Sequence, residues 1–283
     1  MARKDIYSDK TLLEFLELDK KEPDLQVKQF LMVGQHTETR AIMDFAYWDK
    51  LKMMFLAVGD FSGMFEKGGF FGFGKKKEQG ETAGTFAGYV QGKGDSKEIG
   101  DFHFQRQWWN NFANTCTACD WNEKLELLVC GESTGNLHFI KPNAEDTSKC
   151  DSIAVIKVHS DRIVKIIINE SKKVVYSISE DRKFKVTNWE KKEITSEFEI
   201  SSSRPNCMTL DQTSNLIFVG DNDGNAKVID VAKHPPSCIN SVKVKAKDPV
   251  VDIDRIGSLM LAASSESGKV SVYQFADPRD QVV

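Results

Sequence analysis

The chain has 283 residues, 40% of them apolar, and a formal net charge of -4 at pH 7. That is enough apolar sequence for one sizeable core, while the slight acidity gives no general attraction to phosphate backbones and argues against specific nucleic-acid binding. The polar start, the lack of any apolar stretch near ~18 residues and six scattered cysteines without a paired framework predict a cytoplasmic protein, not secreted, with no transmembrane segment.

Residues 1–24 read as an N-terminal arm, in which Thr11-Leu12-Leu13-Glu14 has capping-box form and favours a short helix. Residues 25–276 read as one all-β domain. At its start, Leu25, Val27, Leu31 and Val33 alternate with polar neighbours and mark a strand candidate. An apolar run then leads to the turn Gly59-Asp60-Phe61-Ser62-Gly63. The segment 67–100 reads as a glycine-rich insertion carrying Phe70, Phe71, Phe73, Phe86 and Tyr89. Aromatics among glycines make it the first candidate for a partner-binding element; the bland reading folds those rings back onto the domain. Within it Gly69, Gly74 and Lys75 have P-loop spacing, but Lys76 stands where magnesium would need Ser or Thr, and no strand and helix frame the loop. Lys75, Lys76 and Lys77 are instead a solvated charge run or a contact for an acidic partner. Farther on, the adjacent Trp108 and Trp109 offer one ring to the core and one to a partner.

Cys116 and Cys119 form a CxxC within a predicted strand, where residues three apart face opposite sides. No second pair completes four ligands, so neither zinc nor another cofactor is expected. From there a pattern repeats at roughly 41 to 48 residues: an apolar run, a five-residue polar turn and an alternating run. The later turns are Gly131-Glu132-Ser133-Thr134-Gly135, Ser179-Glu180-Asp181-Arg182-Lys183, Gly220-Asp221-Asn222-Asp223-Gly224 and Ser264-Ser265-Glu266-Ser267-Gly268. The runs beside them, such as Leu216-Ile217-Phe218-Val219 and Ala226-Lys227-Val228-Ile229, are short and β-branched, which reads as hairpins. The period is that of four-stranded propeller blades. Residues 277–283 read as a tail.

The third repeat carries His159, Ile163-Val164-Lys165, Tyr176-Ser177-Ile178-Ser179-Glu180-Asp181 and Trp189, and it resembles a WD repeat. The resemblance implies a WD-like β-propeller with about five recognisable blades, and a structural hydrogen-bonded tetrad to which His159, Ser177 and Asp181 match by position. Trp189 departs from the pattern, which would place the tryptophan near Thr187. Across the second to fourth repeats, Cys116 to Asp120, Gly131 to Gly135 and Phe218 to Gly224 resemble the propeller part of the WD-repeat and FYVE-domain proteins. The cysteine clusters of the FYVE module are absent from the sequence, so its zincs and lipid binding do not carry over. In that family an N-terminal strand commonly closes the ring, which here implies pairing of residues 25–33 with the strand beginning at Lys269.

No catalytic constellation is visible. The five histidines fall in separate repeats, and acids such as Glu180 and Asp181 lie on turns. The expected function is a non-enzymatic scaffold or adaptor subunit that binds protein partners in a larger assembly, cytoskeletal, ciliary or vesicle-trafficking. The rival is a ligand-binding or hydrolytic propeller with a central-channel site, which requires acids, histidines or metal ligands converging at the inner strands, and none is evident in the sequence.

Overall fold

A computed structural model describes residues 41–51, 53–59, 84–93, 102–112, 114–256, 259–264 and 268–274. Among these residues the chain is all β, with no helix. The first sheet contains β1 (Ala41–Trp48), β2 (Met53–Gly59), β3 (Gly84–Lys93) and β4 (Phe102–Phe112); the second contains β5 (Cys116–Asn122), β6 (Leu127–Glu132), β7 (Asn136–Pro142) and β8 (Cys150–Lys157). The third has β9 (Ile163–Asn169), β10 (Val174–Ser179), β11 (Lys183–Asn188) and β12 (Glu193–Glu199), and the fourth β13 (Pro205–Asp211), β14 (Leu216–Asp221), β15 (Asn225–Asp230) and β16 (Ser237–Lys243). A fifth has three described strands, β17 (Val250–Ile256), β18 (Leu259–Ser264) and β19 (Lys269–Gln274). Every sheet is an antiparallel meander of sequence neighbours, and each of the five polar turns begins at or near the end of a second strand.

The second strands β6, β10 and β14 are buried along their whole length, so successive side chains give the sheets two buried faces, and stacking neighbours covers them. The first strands follow one another in space, β1 against β5, β5 against β9, β9 against β13 and β13 against β17. One core cluster fills each junction. Trp48, Phe55, Cys119 and Leu128 lie between the first and second sheets. Val129, Phe139, Ile166 and Val175 follow between the second and third, Tyr176, Phe184, Ile217 and Ile229 between the third and fourth, and Phe218, Val228, Val250 and Ala262 between the fourth and fifth.

Two irregularities recur in register. All five first strands carry a β-bulge near their start, with Met43, Thr117, Val164, Asn206 and Val251 as the extra residues. Bulges also interrupt the fourth strands at Gln107, Ile153, Thr195 and Ile239. A bulge bends its strand and strengthens the twist, and at two first strands it also makes a tie. Thr117 Oγ1 donates to the Ile163 carbonyl at 2.7 Å, and Asn206 Nδ2 to the Val250 carbonyl at 3.2 Å. Both close the first carbonyl of the next sheet, which has no ladder partner on that side.

Two expectations are corrected here. The segment 67–100 is not one insertion, because β3 runs through it and pairs with β2 on one side and β4 on the other. Its glycines, Gly84, Gly88 and Gly92, weaken strand propensity, but two ladders of backbone hydrogen bonds outweigh that. Phe86 and Tyr89 therefore belong to a sheet strand. The second correction concerns Cys116 and Cys119, which share one core cluster. The bulge at Thr117 interrupts the alternation, so residues three apart end on the same face while Ala118 faces the third sheet. The proposed N-terminal arm, the strand candidate at 25–33 and the tail lie outside the described residues.

Candidate functional site

In the third sheet, the linker before β9 delivers His159, β10 delivers Ser177 and the turn after it delivers Asp181. His159 Nδ1 lies 2.9 Å from Asp181 Oδ2, and its Nε2 lies 2.8 Å from Ser177 Oγ. Asp181 further accepts the backbone N–H of Ser160 at 3.1 Å and of Lys183 at 3.0 Å. Burial raises the Asp181 pKa, but the hydrogen bonds and the imidazole outweigh it and hold the carboxyl well below the usual aspartate range. His159 and Ser177 are buried, so the group ties linker, strand and turn together and offers nothing to solvent. Among the described residues no fourth side chain joins the group: Thr187 is fully buried, its Oγ1 has no hydrogen-bond partner, and Trp189 packs against the cluster between the second and third sheets.

Other sheets hold the same corner with different residues. In the second, the buried Glu132 accepts Asn136 Nδ2 at 2.7 Å and Thr134 Oγ1 at 2.9 Å, and lies 3.2 Å from His138 Nε2. Burial pushes its pKa up, yet those partners bring it below normal. In the fourth, Asp221 accepts Ser201 Oγ at 2.8 Å, Asn225 Nδ2 at 2.9 Å and the Asn225 N–H at 2.9 Å. Such saturated carboxylates are structural.

A different cluster lies where the first strands converge, and sequence reasoning missed it. Asp44 of β1 accepts the Cys119 N–H at 3.0 Å and pairs with Lys165 Nζ of β9 at 3.0 Å. Asp120 of β5 accepts the Ile168 N–H at 2.7 Å and the Trp121 N–H at 2.9 Å. Burial, the largest influence, pushes the Asp120 pKa up to about 6 despite those hydrogen bonds. The expectation that no acids converge at the inner strands is thereby corrected. No local signal could have found the group, since Asp44 and Lys165 are 121 residues apart. Beside it opens a cleft of about 460 Å³ lined by four first strands, including Phe45 and Tyr47 of β1, Trp121 of β5, Lys165 of β9 and Met208 of β13. Phe45 is 66% exposed and Tyr47 43%.

Phe45, Tyr47 and Ile42 lie on the face of the first sheet turned away from the second, and Val270 and Val251 are exposed on the fifth. Corresponding positions on the inner sheets are buried: Cys119 matches Phe45, and Phe184 matches Val270. The two ends of the stack thus present apolar side chains that every internal junction covers.

The thiols of Cys116, Cys119 and Cys130 lie together in the first core cluster. Burial raises the Cys119 and Cys130 pKa values well above normal, which keeps those two thiols protonated. Among the described residues no group of His, Cys, Asp and Glu is placed to hold a metal, and no helix is long and apolar enough to cross a membrane. Trp108 and Trp109 lie on β4, the edge strand of the first sheet. Phe70, Phe71, Phe73, Lys75, Lys76 and Lys77 lie outside the described residues.

No protein-family model matches the sequence, and no curated protein matches it. In fold the chain is similar to a solved structure, the computationally designed Ika4 protein, at a TM-score of 0.50 and 15% identity over 59% of this chain and 95% of that chain. At that identity the likeness concerns the fold alone.

Proposed function

We propose that the five sheets are blades of a WD-like β-propeller, and that the protein is a non-enzymatic scaffold or adaptor that binds protein partners within a larger assembly. The observation that carries the reading is the division of labour among side chains. The buried polar clusters around Glu132, Asp181 and Asp221 are consumed in tying the sheets. The exposed large apolar residues, Phe45, Tyr47, Val251 and Val270 among them, lie on strand faces instead. Exposed aromatic and aliphatic groups on a rigid frame are the means of protein association. The working setting is the cytoplasm, in a cytoskeletal, ciliary or vesicle-trafficking assembly.

The convergence of Asp44, Asp120 and Lys165 beside the inner cleft favours a second reading, a ligand held in the central channel. Their hydrogen bonds run to backbone amides and to each other, so this reading is of binding rather than hydrolysis. Affinity purification of the tagged full chain with crosslinking mass spectrometry separates the two. A stoichiometric protein partner crosslinked to lysines of the sheets supports the scaffold. A partner-free chain that binds or turns over a small molecule, with loss on Lys165→Met, overturns it in favour of the channel.

A further inference from the structure

At the junction of the third and fourth sheets, a second cleft of about 530 Å³ opens on the rim opposite the five polar turns. Its walls are Val174, Tyr176, Val186 and Val231, all buried, and its far side is closed by Pro235 and Pro236. Thr195, the bulge residue of β12, stands at the mouth, where a bulge bends the outer strand. Such a slot suits one aliphatic or aromatic side chain.

Lysines outnumber carboxylates around the mouth. Lys172 and His234 line it, and the neighbouring turns add Lys173, Lys191, Lys192 and Lys233. Lys173, Lys191 and Lys233 have carboxylate partners in Glu190, Glu193 and Asp230. Among the described residues Lys172 has no carboxylate at ion-pair distance, Asp230 acting on it from farther off; its ammonium donates to the Val231 carbonyl and retains N–H groups for an anion. Partial burial lowers its pKa against the opposing influence of Asp230, and a further carboxylate at the mouth would favour the charged ammonium.

We propose that this cleft docks a short acidic peptide of a protein partner, a leucine or aromatic side chain entering between Tyr176 and Val231 while an adjacent Asp or Glu pairs with Lys172. The assignment rests on the scaffold reading and specifies one of its contact sites. An aliphatic anchor supplies burial, and the ammonium sets which neighbours of that anchor are accepted.

The test titrates the isotope-labelled full chain with acetyl-Asp-Leu-Leu-Asp-amide, with its Lys-Leu-Leu-Lys counterpart and with decanoate, following amide shifts by NMR. The acidic peptide should move amides of β10, β12 and the turn at Lys233 and His234, and the basic peptide should not. Thr195→Trp, which blocks the mouth from an exposed position, and Lys172→Glu should each weaken binding about tenfold. Lys172→Glu should also bring in the basic peptide, a gain that misfolding cannot mimic. The proposal is overturned if the acidic peptide leaves these amides unmoved, if it binds Lys172→Glu undiminished, or if decanoate binds while both peptides are silent. In each of those cases a crosslinked partner insensitive to Thr195→Trp still leaves the scaffold reading standing.

Discussion

Substituting Gly224 by alanine tests how the polar turns hold the sheets in order. Gly224 has φ +80°, a region in which a Cβ costs about 1–2 kcal/mol. An added Cβ would also overlap the Lys245 carbonyl oxygen and come within 2.8 Å of the Asp248 carbonyl oxygen, both in the linker from β16 to β17. The Gly224 carbonyl accepts the N–H of Val244 at 2.8 Å and of Lys245 at 3.3 Å. Relieving the overlap displaces those two hydrogen bonds, at about 1 kcal/mol each. The expected loss is about 3–4 kcal/mol, or about 6–16 °C in Tm for a domain of this size. Gly268 provides the control. It occupies the same place in the fifth sheet at φ +58°, but a Cβ there meets nothing within 4 Å. Gly268→Ala should therefore cost about 1 kcal/mol, part of which is returned by a stiffer unfolded chain. Thermal and urea unfolding followed by circular dichroism distinguish the two. Equal shifts for Gly224→Ala and Gly268→Ala would refute the docking of turn onto linker as the source of the cost.

Other outcomes follow from the same geometry. His159→Ala should destabilise by about 1–3 kcal/mol by removing the imidazole partner of the Asp181 carboxylate and the Ser177 hydroxyl, measured by urea unfolding, with partner capture unchanged at temperatures below the transition. Because the Asp181 pKa is depressed in the folded state, its contribution is complete above the ordinary aspartate pKa of about 4 and is lost as pH falls toward the folded value. Asp181→Asn should remove that acid dependence in unfolding curves measured from pH 6 downward. Thr187→Val deletes a buried hydroxyl without a partner and should be neutral or stabilising by about 1 kcal/mol; a loss of stability would reveal a partner for that hydroxyl. In a double-mutant cycle of Asp44→Asn and Lys165→Met, the coupling should stay at or below about 1 kcal/mol, because Lys165 is 38% exposed and solvent screens the pair. Finally, Asp120, raised to about 6 by burial, favours the folded state when protonated. That gain is present below about pH 4 and is lost as pH rises through about 6; carboxyl-carbon NMR should place its midpoint there rather than near 4.

The sequence by itself determined the element type and the repeat. Alternating apolar runs around polar turns specify hairpins because a strand's side chains alternate with period two, and each of the five recognised turns starts within the last two residues of a second strand. The resemblance to a WD repeat singled out His159, Ser177 and Asp181, and a linker, a strand and the turn after it bring those residues together through local connectivity. Composition misread residues 84–93, because glycine content reports intrinsic propensity and the ladders from β2 and β4 are long-range terms absent from any local window. Strict alternation misplaced Cys116 relative to Cys119, because only pairing with β6 shows that Thr117 is an extra residue. Tertiary structure alone decided the rest. Asp44, Asp120 and Lys165 meet because successive sheets stack through their first strands, and the cleft rimmed by Lys172 is lined by residues of both the third and the fourth sheet, the bulge residue Thr195 among them. Both depend on how neighbouring sheets pack against one another, which the order of residues along a strand does not set.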